Sequence, residues 1–415
     1  MFTPIKILHR LPFLRLILFL VLGILLASFY KDVNLGFLFL ILTLILALIG
    51  TFLSPHLSYL KGIVIFFACF TLGYFSVIVP KPFFEQESTL AQKATTFKEY
   101  TTQLLDNKLD NKSSALCKAL CLADKSSLNS KVKKEFSRAG ASHILAVSGM
   151  HVGIIFTAIS TLLSLVSKER RFQLFGGILS ICFLWFYAYI CGLQPSIIRA
   201  CTMFSVPIIG KLLKRDASSF NSLLFTAFCM LIYDYTYLYN IGFQLSFLAV
   251  AGILLFQEKI FNIFPLQNKI LIWIWSLTSV SIAAQITTLP LTIYYFHNLP
   301  IFSLITNLFV VPLATLLIYF TGSLLIFQLT SLSSIISLFI NKLSNISTFL
   351  IEEISNIPYS VIEDINISAL QVAILYAIIL LFYHFIWSKK PATLMWILSC
   401  FILFIVYDII NLLFL

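Results

Sequence analysis

Polar positions along this chain come in short clusters, and apolar positions come in long unbroken runs. Runs of about 18 or more apolar residues recur from end to end, the length a helix needs to cross a ~30 Å hydrocarbon layer. Read against their charged flanks, they predict thirteen helices. The first three lie at roughly 11–29, 35–53 and 62–79. The other ten lie at roughly 141–166, 173–191, 196–213, 217–233, 239–257, 270–290, 300–319, 322–341, 367–387 and 393–413. The pair within 300–341 also fits a re-entrant hairpin. Lys6, Arg10 and Arg15 precede or enter the first run. No small-residue cleavage site follows it and more runs come straight after, so it is expected to stay as a helix.

One long polar segment, 80–140, breaks the series. Its second part, 112–138, predicts an amphipathic helix, because Leu116, Leu120, Leu128, Val132 and Phe136 fall at multiples of four. Gly140 is a suitable stop. The basic residues of this stretch, including Lys131, Lys133, Lys134 and Arg138, allow two readings. One is an interfacial helix resting on anionic lipid. The other is a cationic approach for a polyanion. The chain thus divides into an N-terminal three-helix region (1–80), a polar segment (81–140) and a long apolar region (141–415).

Composition turns this pattern into a class. Apolar residues make up 60% of the 415, charged residues only 11%, and mean hydropathy is +0.98, which excludes an ordinary soluble fold. The expected fold is an all-α polytopic membrane protein with about 11–13 transmembrane helices, a short extracytoplasmic segment and an amphipathic interfacial helix.

The net charge of +11 changes the picture less than its size suggests. With the N-terminus in the cytoplasm, the inner flanks collect clusters such as Arg170–Arg171, Lys214–Arg215 and Lys389–Lys390, and the outer flanks are neutral. The whole excess then sits on one side, as the positive-inside rule requires. It is a topology signal. The odd helix count puts the C-terminus and the polar segment outside.

Polar groups are costly in lipid, so those within the predicted helices are candidate functional residues. Ser148, His151, Arg199, Gln244, Gln285 and Asn307 all fall near outer helix ends, roughly 5–15 Å below the outer interface at 1.5 Å per residue. Such a level would suit an outward-facing polar vestibule. Each also has a structural reading. Ser148 can bond its own helix backbone, and His151 can be a satisfied core histidine. Gly149 and Gly153 suit close helix packing, and Gln244, Gln285 and Asn307 suit interhelical glue. Arg199 can snorkel to the interface. Tyr233, Tyr235, Tyr237 and Tyr239 fit an aromatic belt at an outer loop. The sequence has no GxxxxGK[ST] phosphate loop, no HExxH and no carboxylate cluster with ligand spacing. Cys117 and Cys121 lack a partnering histidine. No cofactor, no metal and no enzymatic activity is expected.

The run Ser142-His-Ile-Leu-Ala-Val-Ser-Gly-Met-His-Val-Gly153 resembles the signature of ComEC-type competence proteins, the bacterial DNA-uptake channels. Further blocks follow in the family's order: Gly192-Leu-Gln-Pro-Ser-Ile-Ile-Arg-Ala200, Gly242-Phe-Gln-Leu-Ser-Phe247, Ala284-Gln-Ile-Thr-Thr-Leu-Pro-Leu291 and Asn307-Leu-Phe-Val-Val-Pro312. The blocks contain every polar residue grouped above by depth, and they add Gln194. The resemblance implies an inner-membrane channel that moves single-stranded DNA into the cytoplasm during natural transformation. It implies a DNA path lined by Ser148, His151, Gln194, Arg199, Gln244, Gln285 and Asn307, approached past Lys131, Lys133, Lys134 and Arg138. Larger members resemble a three-part design with an outer OB-like domain and a C-terminal metallo-β-lactamase-like domain. Here 80–140 is too short to hold both the amphipathic helix and a complete OB-fold, and an HxHxDH metal motif is absent. The expectation is a channel core whose receptor, nuclease and cytoplasmic motor ATPase are separate proteins, in contact with membrane lipid, with a homo-oligomer left open.

Two other classes compete. An intramembrane serine protease would use Ser148, with His297 or His384 as a distant base. A transporter of another polyanionic lipid or glycopolymer would share the polar vestibule and the basic approach.

Overall fold

A computed structural model describes residues 11–52, 58–79, 89–145, 147–166, 170–213 and 218–414. Lys6, Arg10, Lys168, Lys214 and Arg215 of the basic flanks lie outside the described residues, as do 80–88 of the polar segment. The chain is helical almost throughout. The three N-terminal helices are α1 (Pro12–Phe29), α2 (Val33–Phe52) and α3 (Ser58–Ile78). The polar segment forms α4 (Thr89–Lys108), α5 (Asn111–Leu122) and α6 (Ser130–Arg138). There follow α7 (Ser142–Leu145), α8 (Gly149–Val166), α9 (Arg170–Ile190), α10 (Pro195–Leu212) and α11 (Ser219–Tyr233). A 3-10 turn (Tyr235–Tyr239) leads into α12 (Ile241–Phe261) and α13 (Lys269–Phe296). The last four helices are α14 (Ser303–Ile326), α15 (Leu332–Asn356), α16 (Ala369–Ser388) and α17 (Pro391–Phe414). Two short strands, β1 (Leu299–Pro300) and β2 (Val361–Ile362), pair antiparallel.

All thirteen expected apolar helices are present. Among the described residues, seven helices are long and apolar enough to cross a membrane by length and composition, and five further stretches are apolar but shorter. The thirteenth, α10, falls in neither group because it carries Arg199 and Lys211 and has Pro207 inside it. Large apolar side chains are exposed on many of these helices, for example Leu44, Phe183, Leu380 and Phe401, as lipid contact requires. The chain is a multi-pass membrane protein.

Two expectations shift. The 300–341 region falls in two long helices, α14 and α15, each long and apolar enough to cross a membrane. The break falls at 327–331, beyond Gly322, which sits within α14. The predicted 112–138 helix is split by a turn between α5 and α6, with Ala123 in the left-handed conformation (φ 57°). Its apolar face is not laid on lipid. Leu116, Leu120, Leu128 and Phe136 are buried in one cluster with Val310, Ala314 and Leu317 of α14 and Ile340 of α15. The opposing face of α15 is a stripe of small residues, Ser333, Ser337, Ser344 and Ser347, all buried, and such residues let helices approach closely.

The chain divides into two compact units. The first comprises residues 1–90 and 198–244. Its centre is the α1–α3 pair, where a Cβ on Gly23 would lie 2.0 Å from the carbonyl oxygen of Phe70, and one on Gly73 would lie 2.1 Å from that of Leu20. Backbone meets backbone there. Tyr74, fully buried, donates its hydroxyl to the carbonyls of Tyr30 (2.8 Å) and Asp32 (3.0 Å), holding the α1–α2 turn. The second unit comprises 91–197 and 245–415. In it, Gly252 of α12 lies against α13, where a Cβ would meet the Ala283 carbonyl at 2.4 Å. Beside it, the Thr287 hydroxyl donates to the Leu248 carbonyl at 2.7 Å.

Candidate functional site

The run from Ser142 to Gly153 does not form one helix. α7 ends at Leu145, residues 147 and 148 are non-helical, and α8 starts at Gly149. Ser148 stands immediately before the first turn of α8, where a serine side chain can satisfy free backbone N–H groups. Its Oγ accepts from the Met150 N–H at 3.3 Å. His151, three residues on, reaches back: its Nδ1 accepts from the Ser148 backbone N–H at 3.1 Å and lies 3.0 Å from the Ser148 Oγ. The imidazole thus takes the place that glutamate or glutamine holds in a capping box, while the Ser148 side chain caps one residue earlier than in that motif. His151 is fully buried, and its Nε2 has no hydrogen-bond partner among the described residues.

The neighbourhood of the break is built by two tight turns. At the end of α9, Gly192 (φ 75°) and Leu193 (φ 50°) take left-handed conformations, and the Leu193 N–H returns to the Ala188 carbonyl. That closure stops the helix. Pro195 then opens α10 at the position proline tolerates best. Gln194 is half-buried in this turn. Next to it, Ser196 donates its hydroxyl to the carbonyl of Val147 at 2.9 Å, tying the start of α10 to the break.

The second turn is at Gly140 (φ 75°), where the Ala141 N–H returns to the Phe136 carbonyl at 2.8 Å. A Cβ on Gly140 would lie 2.5 Å from the Cβ of Ser303. Ser303 opens α14 and accepts from the Gln285 Nε2 of α13 at 3.1 Å. Asn307 lies one turn further along α14. Contacts bracket it, with Gly140 against Ser303 on one side and Ile144 in the same apolar cluster as Val310 on the other. Asn307 is 8% exposed, and its Oδ1 has no partner among the described residues.

Five of the seven path candidates, Ser148, His151, Gln194, Gln285 and Asn307, belong to the second compact unit, and the structure joins Ser148 directly to His151. Arg199 and Gln244 belong to the first. Arg199 is buried (3% exposed). The Gln244 Nε2 donates to the Leu238 carbonyl at 2.8 Å, holding the 3-10 turn on which Tyr237 stacks against Phe243.

On the polar segment, Lys131 bridges Glu352 of α15 at 3.0 Å and Glu135 at 3.4 Å. Those carboxylates raise its pKa. Lys133 and Lys134 are exposed. The Lys125 pKa is lowered, by desolvation first and then by the charge of Lys133, so two like charges are held near each other. Arg138 is half-buried. Beneath this surface, Lys118 of α5, almost fully buried, bonds both carboxylate oxygens of Asp106 at 2.5 and 2.6 Å. The Asp106 pKa is lowered, chiefly by that bond. Among the described residues, no group of three His, Cys, Asp or Glu is placed to hold a metal ion.

Sequence reasoning missed Ser196, Ser303 and Glu352. The first two serve through hydroxyls that look like ordinary helix-start residues, and Glu352 pairs across the fold.

The chain is similar to several known proteins. The chain is 29% identical over 223 residues to ComE operon protein 3 of Bacillus subtilis, covering 54% of this chain and 27% of that protein. It is 34% identical over 132 residues to an uncharacterized protein of Aquifex aeolicus, covering 32% of this chain and 30% of the other. It is also 23% identical over 209 residues to Recombination protein 2 of Haemophilus influenzae, covering 48% and 26%. The chain therefore spans less than a third of the length of these relatives. No solved structure matches it. The family model described as "Competence protein" matches residues 120–390, from α5 through both turns and the break to the end of α16, and the chain belongs to that competence protein family.

Proposed function

We propose that this chain forms the inner-membrane channel through which single-stranded DNA passes into the cytoplasm during natural transformation. The observation that carries the reading is the family match over 120–390, which takes in every path and approach residue named above. The orientation we assign has the N-terminus in the cytoplasm and the C-terminus and polar segment outside, from the one-sided distribution of Lys and Arg. DNA would then meet Lys133, Lys134 and Arg138 before Ser148, His151, Gln194, Arg199, Gln244, Gln285 and Asn307.

Each nucleotide carries one negative charge, and moving it inward against an inside-negative potential costs about 2.3 kcal/mol per 100 mV. The chain has no phosphate loop, so the work falls to a cytoplasmic motor ATPase or to proton coupling. An extracytoplasmic DNA receptor and a nuclease complete the set of separate partners. We assign the chain no enzymatic role.

The Ser148–His151 distance of 3.0 Å is the one observation that favours a serine protease, with a nearer base than His297 or His384. The hydrogen bonds argue against it. His151 Nδ1 is already occupied by the Ser148 backbone N–H, and Ser148 Oγ accepts from Met150. Among the described residues, no third side chain bonds the imidazole, as nucleophilic catalysis needs.

The test is a deletion strain scored for transformation and for DNA bound at the cell surface. Transformation should be lost with surface binding intact, and normal transformation would overturn the channel reading. In the complemented strain, Ser148→Ala should retain transport, reduced severalfold at most, because a lost cap costs about 1 kcal/mol. Complete loss at normal membrane abundance would favour the protease.

A further inference from the structure

We propose that His151 is locked as a neutral hydrogen-bond donor, and that its Nε2–H is the contact for a phosphodiester oxygen of the translocating strand at the α7–α8 break. The inference rests on the channel reading and adds the chemistry of one contact to it.

The geometry fixes the tautomer. A backbone N–H can only donate, so the Ser148 N–H, 3.1 Å from Nδ1, requires a lone pair on that nitrogen. The ring proton therefore sits on Nε2. That atom is buried and has no partner among the described residues, a condition that costs about 1–3 kcal/mol for a donor left unsatisfied. An arriving acceptor would recover that loss.

Three features make the acceptor an anionic oxygen. The free donor belongs to the first turn of α8, where unpaired N–H groups and the helix dipole favour negative charge. The start of α10 is tied to the same break through Ser196 and Val147, which brings a second such end beside it. Asn307, whose Oδ1 also lacks a partner among the described residues, is on α14, bracketed by the α6–α7 corner and Ile144, and its amide can turn to present N–H groups. A neutral donor suits conduction. It holds a phosphate firmly enough to guide it and weakly enough to release it.

The cap supplies an internal control, because a carboxylate or carboxamide in place of the imidazole can still accept the Ser148 N–H. His151→Gln keeps the cap and a donor. His151→Glu keeps the cap and sets a negative charge where the phosphate should lie. The full chain, reconstituted in lipid nanodiscs with nitrogen-15 histidine, should show one imidazole with Nδ1 bare and Nε2 protonated, a signal absent from His151→Gln. That signal should shift on titration with single-stranded oligothymidylate. In cells, His151→Glu should lower transformation about tenfold or more at normal membrane abundance, and His151→Gln should keep a measurable fraction. A proton on Nδ1, oligothymidylate that binds while the His151 signal stays still, or full transport by His151→Glu would each overturn the assignment and leave the channel reading standing. If oligothymidylate does not bind the protein at all, the channel reading itself falls and this contact falls with it. If His151→Glu fails to accumulate, the spectrum of the unaltered protein still decides.

Discussion

The α1–α3 pair and the α7–α8 break treat polar backbone in opposite ways. At the first, Gly23 and Gly73 let two complete helices close until backbone touches backbone, and every turn keeps its internal hydrogen bonds. At the second, a run apolar enough for one helix is interrupted, and a serine, a histidine and a neighbouring helix start must satisfy the exposed backbone groups. Discontinuous helices are tolerated in membranes where protein or a water-filled cavity surrounds them. The contrast separates a seam built for cohesion from a junction that keeps hydrogen-bonding capacity in reserve.

The largest effect should come from filling the seam. Gly73→Ala puts a Cβ 2.1 Å from a carbonyl oxygen that belongs to a helix backbone, so the helices must part. A loss of about 3 kcal/mol or more is expected, read as lower thermal stability in detergent and lower membrane abundance. Gly62→Ala, on the same helix with nothing within 4 Å, should be neutral or gain about 0.5 kcal/mol. Equal effects at the two positions would erase the seam.

A smaller effect should follow Asp106→Asn, which leaves Lys118 buried without its counter-charge. Asp106 is half exposed, so water screens the pair and about 2 kcal/mol is expected, below the usual figure for a broken buried pair. Because the folded Asp106 pKa is lowered, this contribution is present above the ordinary carboxylate range. It is lost as pH falls through the folded value. A pH series of melting temperatures should converge for the two proteins at acid pH, and parallel curves would rule the pair out as a source of stability.

The smallest effects separate lysines on one helix. Replacing Lys133 and Lys134 with Gln should weaken DNA transport and flatten its salt dependence, by roughly one unit of slope for each lysine that meets a phosphate. Lys131→Gln should change the slope less, because its charge already faces Glu352 and Glu135. Uptake normalised to membrane abundance across a salt series distinguishes them, and equal slopes would mean that the exposed lysines do not meet DNA.

Helix number and placement were legible in the sequence because lipid imposes a minimum apolar length, and Lys and Arg punctuate the runs. The α7–α8 break was not. By residue type alone, Ala146, Val147 and Ser148 suit the middle of an apolar helix, and the hydrogen bond that takes up the Val147 carbonyl comes from Ser196, remote in sequence. The fate of the 112–138 stretch was hidden for a related reason. Its apolar period says that one face is covered, and only the serine stripe of α15 says that protein covers it. Among the site residues, the structure bonds Ser148 to His151, and depth could not tell Asn307, whose Oδ1 has no partner among the described residues, from Gln244, whose amide holds the Leu238 carbonyl.

The corner at Gly140 has a mechanical meaning. The bend is closed by the Phe136 carbonyl and leaves no room for even a methyl group against Ser303, so α6 cannot swing about it as a tether would. On the channel reading, a strand drawn to Lys133 and Lys134 would pull against a post anchored on α14, just ahead of the break. The basic helix would then serve as a bollard, around which a strand under tension could slide without dragging the mouth of its path along.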